Sequence, residues 1–355
     1  MTSGLLLVNV GTPDSLNPRD IRRYLLEFMS DPLVIDRTGP WWRFLLRHVI
    51  VPRRASAAAR AYAAIWNRER DESPLRTITR AQAAGVQTAL GPPGDIRVGW
   101  AMRYGRPTIA AELARLRDAG CAQVLVAPLY PQFSAATTGT VETATRAALD
   151  GMADPPALRF LPPWFDHPAY IRATAAGIQD HVRALDWAPQ ALVLSFHGLP
   201  QAHVDRGDPY CDQCLKTAGR LSAALGEQFG EVHTAFQSRG RRIVWTGPEL
   251  EPVLADLARQ GVGRVCVATP GFVADCLETV EEVGLRAARH FLANGGKRFT
   301  RVPCLNDTPA ASAMVAGIAR EHLAGWFETG LTPPHAAHLA LHGPAATGQK
   351  LAVTP

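Results

Sequence analysis

Hydrophobic residues along the chain fall into short unbroken runs, separated by longer stretches in which they recur every three or four positions. Leu5–Val10 is such a run and breaks at Gly11-Thr12-Pro13; Asp95–Trp100, Gln123–Pro128, Ala191–Phe196, Glu231–Phe236 and Arg264–Thr269 follow. Runs of this length without polar alternation predict strands covered on both faces. Helical spacing fills the gaps. Asn17-Pro18 supplies an N-cap and a first-turn proline, and Ile21, Tyr24, Leu25 and Phe28 then share one face. Further helices are predicted over Pro107–Ala119, Tyr170–Leu185 and Glu249–Gln260. This alternation predicts an α/β protein built on parallel sheets flanked by helices. The proline-rich stretch Asp154–Pro168 reads as the passage between two such units, which share a loose order of motifs but no sequence repeat. Leu331–Pro355, rich in Ala, Pro, Gly and His, shows no sustained period and is expected to be a disordered tail.

Composition narrows the class. The chain has 355 residues, enough for about two domains; 47% hydrophobic and 19% charged residues suit sizeable cores. A net charge of +5 favours anionic contacts in general, but no block of like charge singles out nucleic acid. The first apolar run is too short for a secretory signal, and no run reaches the ~18 residues of a membrane span, so a cytoplasmic protein is expected. The six cysteines read as reduced thiols. One segment stands apart. In Gly39–Arg54, Trp41, Trp42, Phe44 and aliphatic residues interleave with Arg43, Arg47, Arg53 and Arg54. It fits a helix at a membrane surface, a hydrophobic lip over a flat apolar ligand, or an ordinary core-facing helix.

The candidate chemistry sits after two of the buried runs. Ser195-Phe196-His197-Gly198-Leu199-Pro200 places a histidine, and Asp275-Cys276-Leu277-Glu278 a carboxylate, near the C-terminal ends of separate strands, where open α/β sheets hold their ligands. A histidine can exchange protons near neutrality; a structural histidine is the competing reading. Glu278, Glu282 and Arg286 share a helical face at i, i+4 and i+8, with Glu281 nearby, so the glutamates serve either a hard cation's route or simple helix-end electrostatics. Cys211-Asp212-Gln213-Cys214 offers two thiols where a structural zinc or a cluster takes four ligands. His335, His338 and His342 suggest at most adventitious metal binding. No P-loop, dinucleotide fingerprint or G-x-S-x-G elbow is present.

Taken together these motifs resemble the ferrochelatase family, from about Leu5 to Trp326. The resemblance rests on Leu6–Pro13, Met102-Arg103-Tyr104-Gly105, Pro128–Ser134, Thr137-Thr138-Gly139 and Ser195–Pro200. Gly207–Tyr210, Phe236-Gln237-Ser238-Arg239, Trp245–Pro248 and Asp275–Thr279 complete it. It implies two similar Rossmann-like domains, over 1–160 (with a hydrophobic lip at about 39–54) and 161–304. A porphyrin cleft would lie between them, with a C-terminal helix over 305–330 returning to the first. It implies His197 as catalytic histidine with Glu278 opposite, both near the metal, and Glu282 as a second member of an acidic metal path. Tyr62, Arg103, Tyr104, Tyr130 and Trp245 would line the macrocycle pocket, and Trp41–Ile50 would fall in the lip that admits porphyrin and touches membrane.

The implied reaction is insertion of Fe2+ into protoporphyrin IX with release of two protons, iron being a substrate. Phe236–Arg239 resembles the protoporphyrin-using branch; coproporphyrin III, a cobalt or nickel chelatase, and a non-catalytic tetrapyrrole-binding protein are the alternatives. The expected setting is the cytoplasm, with peripheral contact at the inner face of the cytoplasmic membrane, as a monomer or homodimer. Three departures matter. Cys276 stands where a histidine is common, and Gly284 and Arg286 stand where further acidic residues are usual. An arginine there either repels an incoming cation or forms a salt bridge with Glu282. The cysteines of the animal iron–sulfur cluster have no counterparts, Ala135 occupying the matching pocket position, so no such cluster is expected; Cys211 and Cys214 are its only hint.

Overall fold

The computed structural model describes residues 2–238 and 243–324. The tail from Leu331, its histidines, Arg239, Trp326 and residues 325–330 of the expected C-terminal helix lie outside the described residues. Among the described residues, eight strands form two sheets. The first sheet comprises β1 Thr2–Gly11, β2 Ile96–Tyr104, β3 Cys121–Pro128 and β4 Ala157–Phe160; the second comprises β5 Ala191–His197, β6 Glu231–Gln237, β7 Arg264–Ala268 and β8 Arg298–Arg301. Their orders are β2-β1-β3-β4 and β6-β5-β7-β8, so the two halves repeat one topology without a sequence repeat. Every pairing is parallel.

The helices of the first half are α1 Pro18–Met29, α2 Pro40–Leu45, α3 Val51–Ile65, α4 Pro74–Leu90, α5 Ile109–Asp118 and α6 Thr140–Asp150. Those of the second are α7 Pro168–Arg183, α8 Gln201–Asp205, α9 Tyr210–Leu225, α10 Leu250–Arg259, α11 Ala288–Ala293 and α12 Pro309–Ala324. Asn17 caps α1 as expected, its side chain accepting from the Arg19 amide. Among the described residues, three segments are π-helical: Leu46–Ile50, Ala135–Gly139 and Glu278–Ala287.

Leu5, Leu6, Leu7 and Val8 of β1 are all fully buried, as a central parallel strand requires. Alternate side chains enter different cores. Leu6 and Val8 pack with Leu113 and Leu116 of α5; Leu5 and Leu7 join a layer that also holds Leu192, Leu194 and Phe196 of β5 and Met314 and Ile318 of α12. The two sheets are thus joined through one apolar layer. Polar contacts reinforce it. Gln82 of α4 donates to the Val273 and Asn306 carbonyls at 3.0 and 2.9 Å, and Asp208 accepts from Ser134 Oγ at 2.9 Å. The passage Asp154–Pro168 is not wholly irregular: it contains edge strand β4, paired with β3.

Candidate active site at the facing strand ends

The C-terminal ends of both sheets supply the candidate residues. On the first sheet the chain turns at Gly11 and Gly105. Gly11 has a φ of 110°, and a Cβ there would lie 1.8 Å from the Tyr104 carbonyl oxygen. A Cβ on Gly105 (φ 90°) would lie 2.6 Å from the Thr12 carbonyl oxygen. Only glycine allows these backbones to approach so closely, and the approach sets Thr12 and Tyr104 side by side.

On the second sheet, β5 ends at His197, paired in register with Gln237 of β6. His197 Nδ1 lies 2.6 Å from the Gly198 carbonyl oxygen. A carbonyl can only accept, so the neutral ring carries its proton on Nδ1 and leaves Nε2 as a lone-pair acceptor. Phe272 stands 6.5 Å from the ring, centroid to centroid. Buried Gln237 then ties β5 to the π-helix: it accepts from Ser195 Oγ at 2.8 Å and donates to the Glu278 carbonyl at 3.0 Å.

Glu278 opens the π-helix Glu278–Ala287, a form frequent at functional sites. Asp275 anchors its start. It accepts from Thr279 Oγ1 at 2.9 Å, Arg301 Nη1 at 2.6 Å and Asn306 Nδ2 at 2.9 Å, while Thr279 Oγ1 takes the Cys276 amide. Burial works against its ionisation, but Arg301 and these hydrogen bonds win and hold its carboxyl below the usual carboxylate range. Further along, Ser238 Oγ donates to Glu282 Oε2 at 2.5 Å, and Arg286 pairs with Glu282 Oε1 and lies 3.7 Å from Glu251 of α10. Burial nevertheless raises the Glu282 carboxyl above its ordinary value, against Ser238, Arg286 and His197. Of the two roles open to Arg286, a salt bridge is formed.

A cleft lined by Val10, Thr12, Tyr24, Tyr62, Cys276 and Glu278 joins the two halves. Tyr62 packs edge-on to Tyr24 at 6.4 Å and to Trp66 at 6.2 Å. Burial first, and then the Glu278 carboxylate, keep the Tyr62 hydroxyl far above its normal pKa. Burial does the same for Tyr130, with Glu278 a smaller contributor. Of the expected pocket residues, Tyr62 shares this lining with Glu278. Arg103 is instead committed to Asp31 at 2.5 Å and to the Thr140 carbonyl at 2.9 Å. Tyr104 is buried beneath the Arg103 guanidinium, its hydroxyl donating to Asp31 at 2.9 Å. Trp245 is half-buried, bridged to Pro200, and its indole N–H has no partner among the described residues. Sequence reasoning gave no role to Thr12, Gln237 or Ser238, although all three lie in the quoted motifs; Asp31 and Arg301 carried no signal.

The cysteines are free. Burial pushes the Cys211 and Cys214 thiols up, away from the thiolate form that binds metal. Among the described residues no three His, Cys, Asp or Glu side chains converge as a metal cage. In the lip, Leu46 and Val51 are buried while Trp41 is 74% and Phe44 52% exposed, their rings stacked at 5.7 Å.

Comparison with known proteins agrees with this layout. The ferrochelatase family model matches residues 2–323. Curated relatives named ferrochelatase include those of Rhizobium meliloti, 45% identical over 91% of this chain and 96% of that one, and of Nitrobacter hamburgensis, 44% identical over 91% and 94%. Among solved structures, SirB from Bacillus subtilis with Fe3+ aligns with a TM-score of 0.55 at 13% identity, covering 92% of this chain and 98% of that one. CbiX, described as the terminal enzyme of sirohaem biosynthesis in denitrifying bacteria, aligns with a TM-score of 0.51 at 17% identity over 90% and 98%. These two show the two-sheet fold, while the sequence matches carry the family: the chain belongs to the ferrochelatases, enzymes that insert a metal ion into a porphyrin.

Proposed function

We propose that the chain inserts Fe2+ into protoporphyrin IX, with His197 and Glu278 as the proton-handling pair. Insertion must remove two inner N–H protons and expose the ring nitrogens. The observation that carries the assignment is the Nδ1 contact of His197 with the Gly198 carbonyl, which leaves Nε2 free to take a proton. Glu278, fixed through Gln237 to the same strand ends, receives the second proton or the dehydrating iron. A cleft that fits a puckered ring better than a flat one lowers the barrier by differential binding. Tyr62, Tyr130 and Trp245 supply the stacking surface. Arg103, already paired with Asp31, binds a propionate only by sharing its guanidinium between the two carboxylates. Protoporphyrin is favoured by the resemblance of Phe236-Gln237-Ser238-Arg239.

Anaerobic Fe2+ insertion, followed as loss of free-porphyrin fluorescence, tests the reading with protoporphyrin IX and coproporphyrin III side by side. Turnover should be faster with protoporphyrin and fall at least about 100-fold in Glu278→Gln and His197→Ala; faster turnover with coproporphyrin would reverse the ring assignment, and near-normal variants would end the pair's role. No cluster is assigned to Cys211 and Cys214. No helix among the described residues is long and apolar enough to cross a membrane. The exposed Trp41 and Phe44, set among Arg43, Arg47, Arg53 and Arg54, support peripheral contact with an anionic bilayer at the cytoplasmic face.

A further inference from the structure

We propose that Ser195 and Gln237 are positioning residues of the insertion site: a buried hydrogen-bonded chain through them sets the offset of Glu278 from His197. The inference rests on the metal-insertion reading above and adds what fixes its proton-handling pair.

Ser195 is the single polar side chain between Ala191 and Phe196 of β5, and it is wholly buried. It lies two positions before His197, so both side chains leave the strand on one face. Gln237, 4% exposed, pairs with His197 across the ladder. The orientation of its amide follows from its partners. The Glu278 carbonyl can only accept, so the NH2 group faces it, at 3.0 Å; the amide oxygen therefore faces Ser195, whose hydroxyl donates at 2.8 Å. The main-chain carbonyl of Gln237 also takes the Gly198 amide at 2.7 Å, and the carbonyl of that same Gly198 is the partner of His197 Nδ1. One residue thus holds the backbone of Glu278 with its side chain, and the group that orients His197 with its main chain.

An apolar pair of similar size would fill this space without desolvating an amide and a hydroxyl. What the polar chain adds is direction: fully satisfied, it admits one spacing between β5 and the first residue of the π-helix. The π-helix has other anchors. Asp275 holds its start through Thr279, Arg301 and Asn306, and Ser238 holds Glu282 about one turn on. Loss of the Gln237 amide therefore leaves the element in place and frees its register against the strand that carries His197. Proton transfer is steep in such errors, a misplacement of about 1 Å costing on the order of 100-fold. Ser195 and Gln237 are both buried, so they present no face to the ring and act through His197 and Glu278.

The test is steady-state Fe2+ insertion, each substrate varied at saturation of the other, in two variants. Gln237→Met keeps the length of the side chain and removes both of its polar contacts; Ser195→Ala removes the donor. kcat should fall about 10- to 100-fold in Gln237→Met and about three- to ten-fold in Ser195→Ala. Both KM values should stay within about two-fold of the wild type, a split that a general loss of packing would not give. The double variant should be no slower than Gln237→Met, because the two residues act through one chain. If Gln237→Met fails to fold, Ser195→Ala, the smaller change, carries the test. Wild-type kcat in the folded variants, a raised KM with kcat intact, or strictly multiplicative losses in the double variant would overturn the assignment. A wild type that inserts no iron would be a failure of the function and not of the brace; amide hydrogen exchange over residues 278–283 then decides. It should quicken several-fold in Gln237→Met while β5 stays protected, and equal exchange would overturn the brace.

Discussion

The carboxylate of Asp275 lies three residues before Glu278 and is almost wholly buried, at 8% exposure. Such a group is tolerable only because Arg301, Asn306 and Thr279 surround it. Its folded pKa is depressed, so its stabilising contribution is full above the unfolded value near 4 and is lost as pH falls through the folded value. Asp275→Asn should cost about 3–5 kcal/mol at neutral pH, since Arg301 loses its buried partner, and should flatten the fall in Tm as pH drops below about 4. Thermal melts from pH 7 to 2 check this; a variant that loses stability with acid as steeply as the wild type would assign that loss to other groups. The positions of His197 at the end of β5 and of Glu278 beyond β7 were legible in the sequence because strand ends can be read from apolar runs. Gln237 and Ser238 were not, because their contacts with Glu278 and Glu282 join segments about 40 residues apart, and no local pattern encodes that. The commitment of Arg103 to Asp31, across 72 positions, was hidden for the same reason.

Among the elements, β1–β3 and β5–β7 follow from the sequence within a few residues, while β4 and β8 do not. Ala157-Leu158-Arg159-Phe160 and Arg298-Phe299-Thr300-Arg301 are four-residue edge strands, too short to show a period and broken by arginines suited to an edge. The π-helix also escaped notice. Val283 and Ala287 are buried on it and fit ordinary helical spacing, so its wider turn leaves no mark in the apolar pattern. Packing between elements gives a prediction of its own. Gly85 of α4 faces Ser312 of α12 so closely that a Cβ would lie 2.2 Å from Ser312 Oγ. Gly85→Ala should therefore destabilise by about 1–3 kcal/mol, and adding Ser312→Ala should recover part of that loss. A double-mutant cycle in denaturant measures it; strictly additive effects would mean that the helices part without resistance.

For the whole molecule, the α/β class and the doubled architecture were legible from the alternation of runs, but the identity of the two sheet orders was not, since similar topology here comes without similar sequence. Net charge and the lip act together at this scale. With Trp41 and Phe44 exposed beside four arginines, binding to vesicles containing anionic lipid should fall several-fold in Trp41→Ala with Phe44→Ala and weaken with salt. Flotation of the full chain with such vesicles reads it, and unchanged flotation of the double variant would remove the lip from membrane contact. The apolar layer shared by Leu5, Leu7, Leu192, Leu194, Phe196 and α12 has a thermodynamic meaning beyond packing. Parting the halves by even 100 Å² of that layer would cost about 2.5 kcal/mol, so opening wide enough to pass a broad ring should come from the lip and the loops at the rim before the two sheets separate.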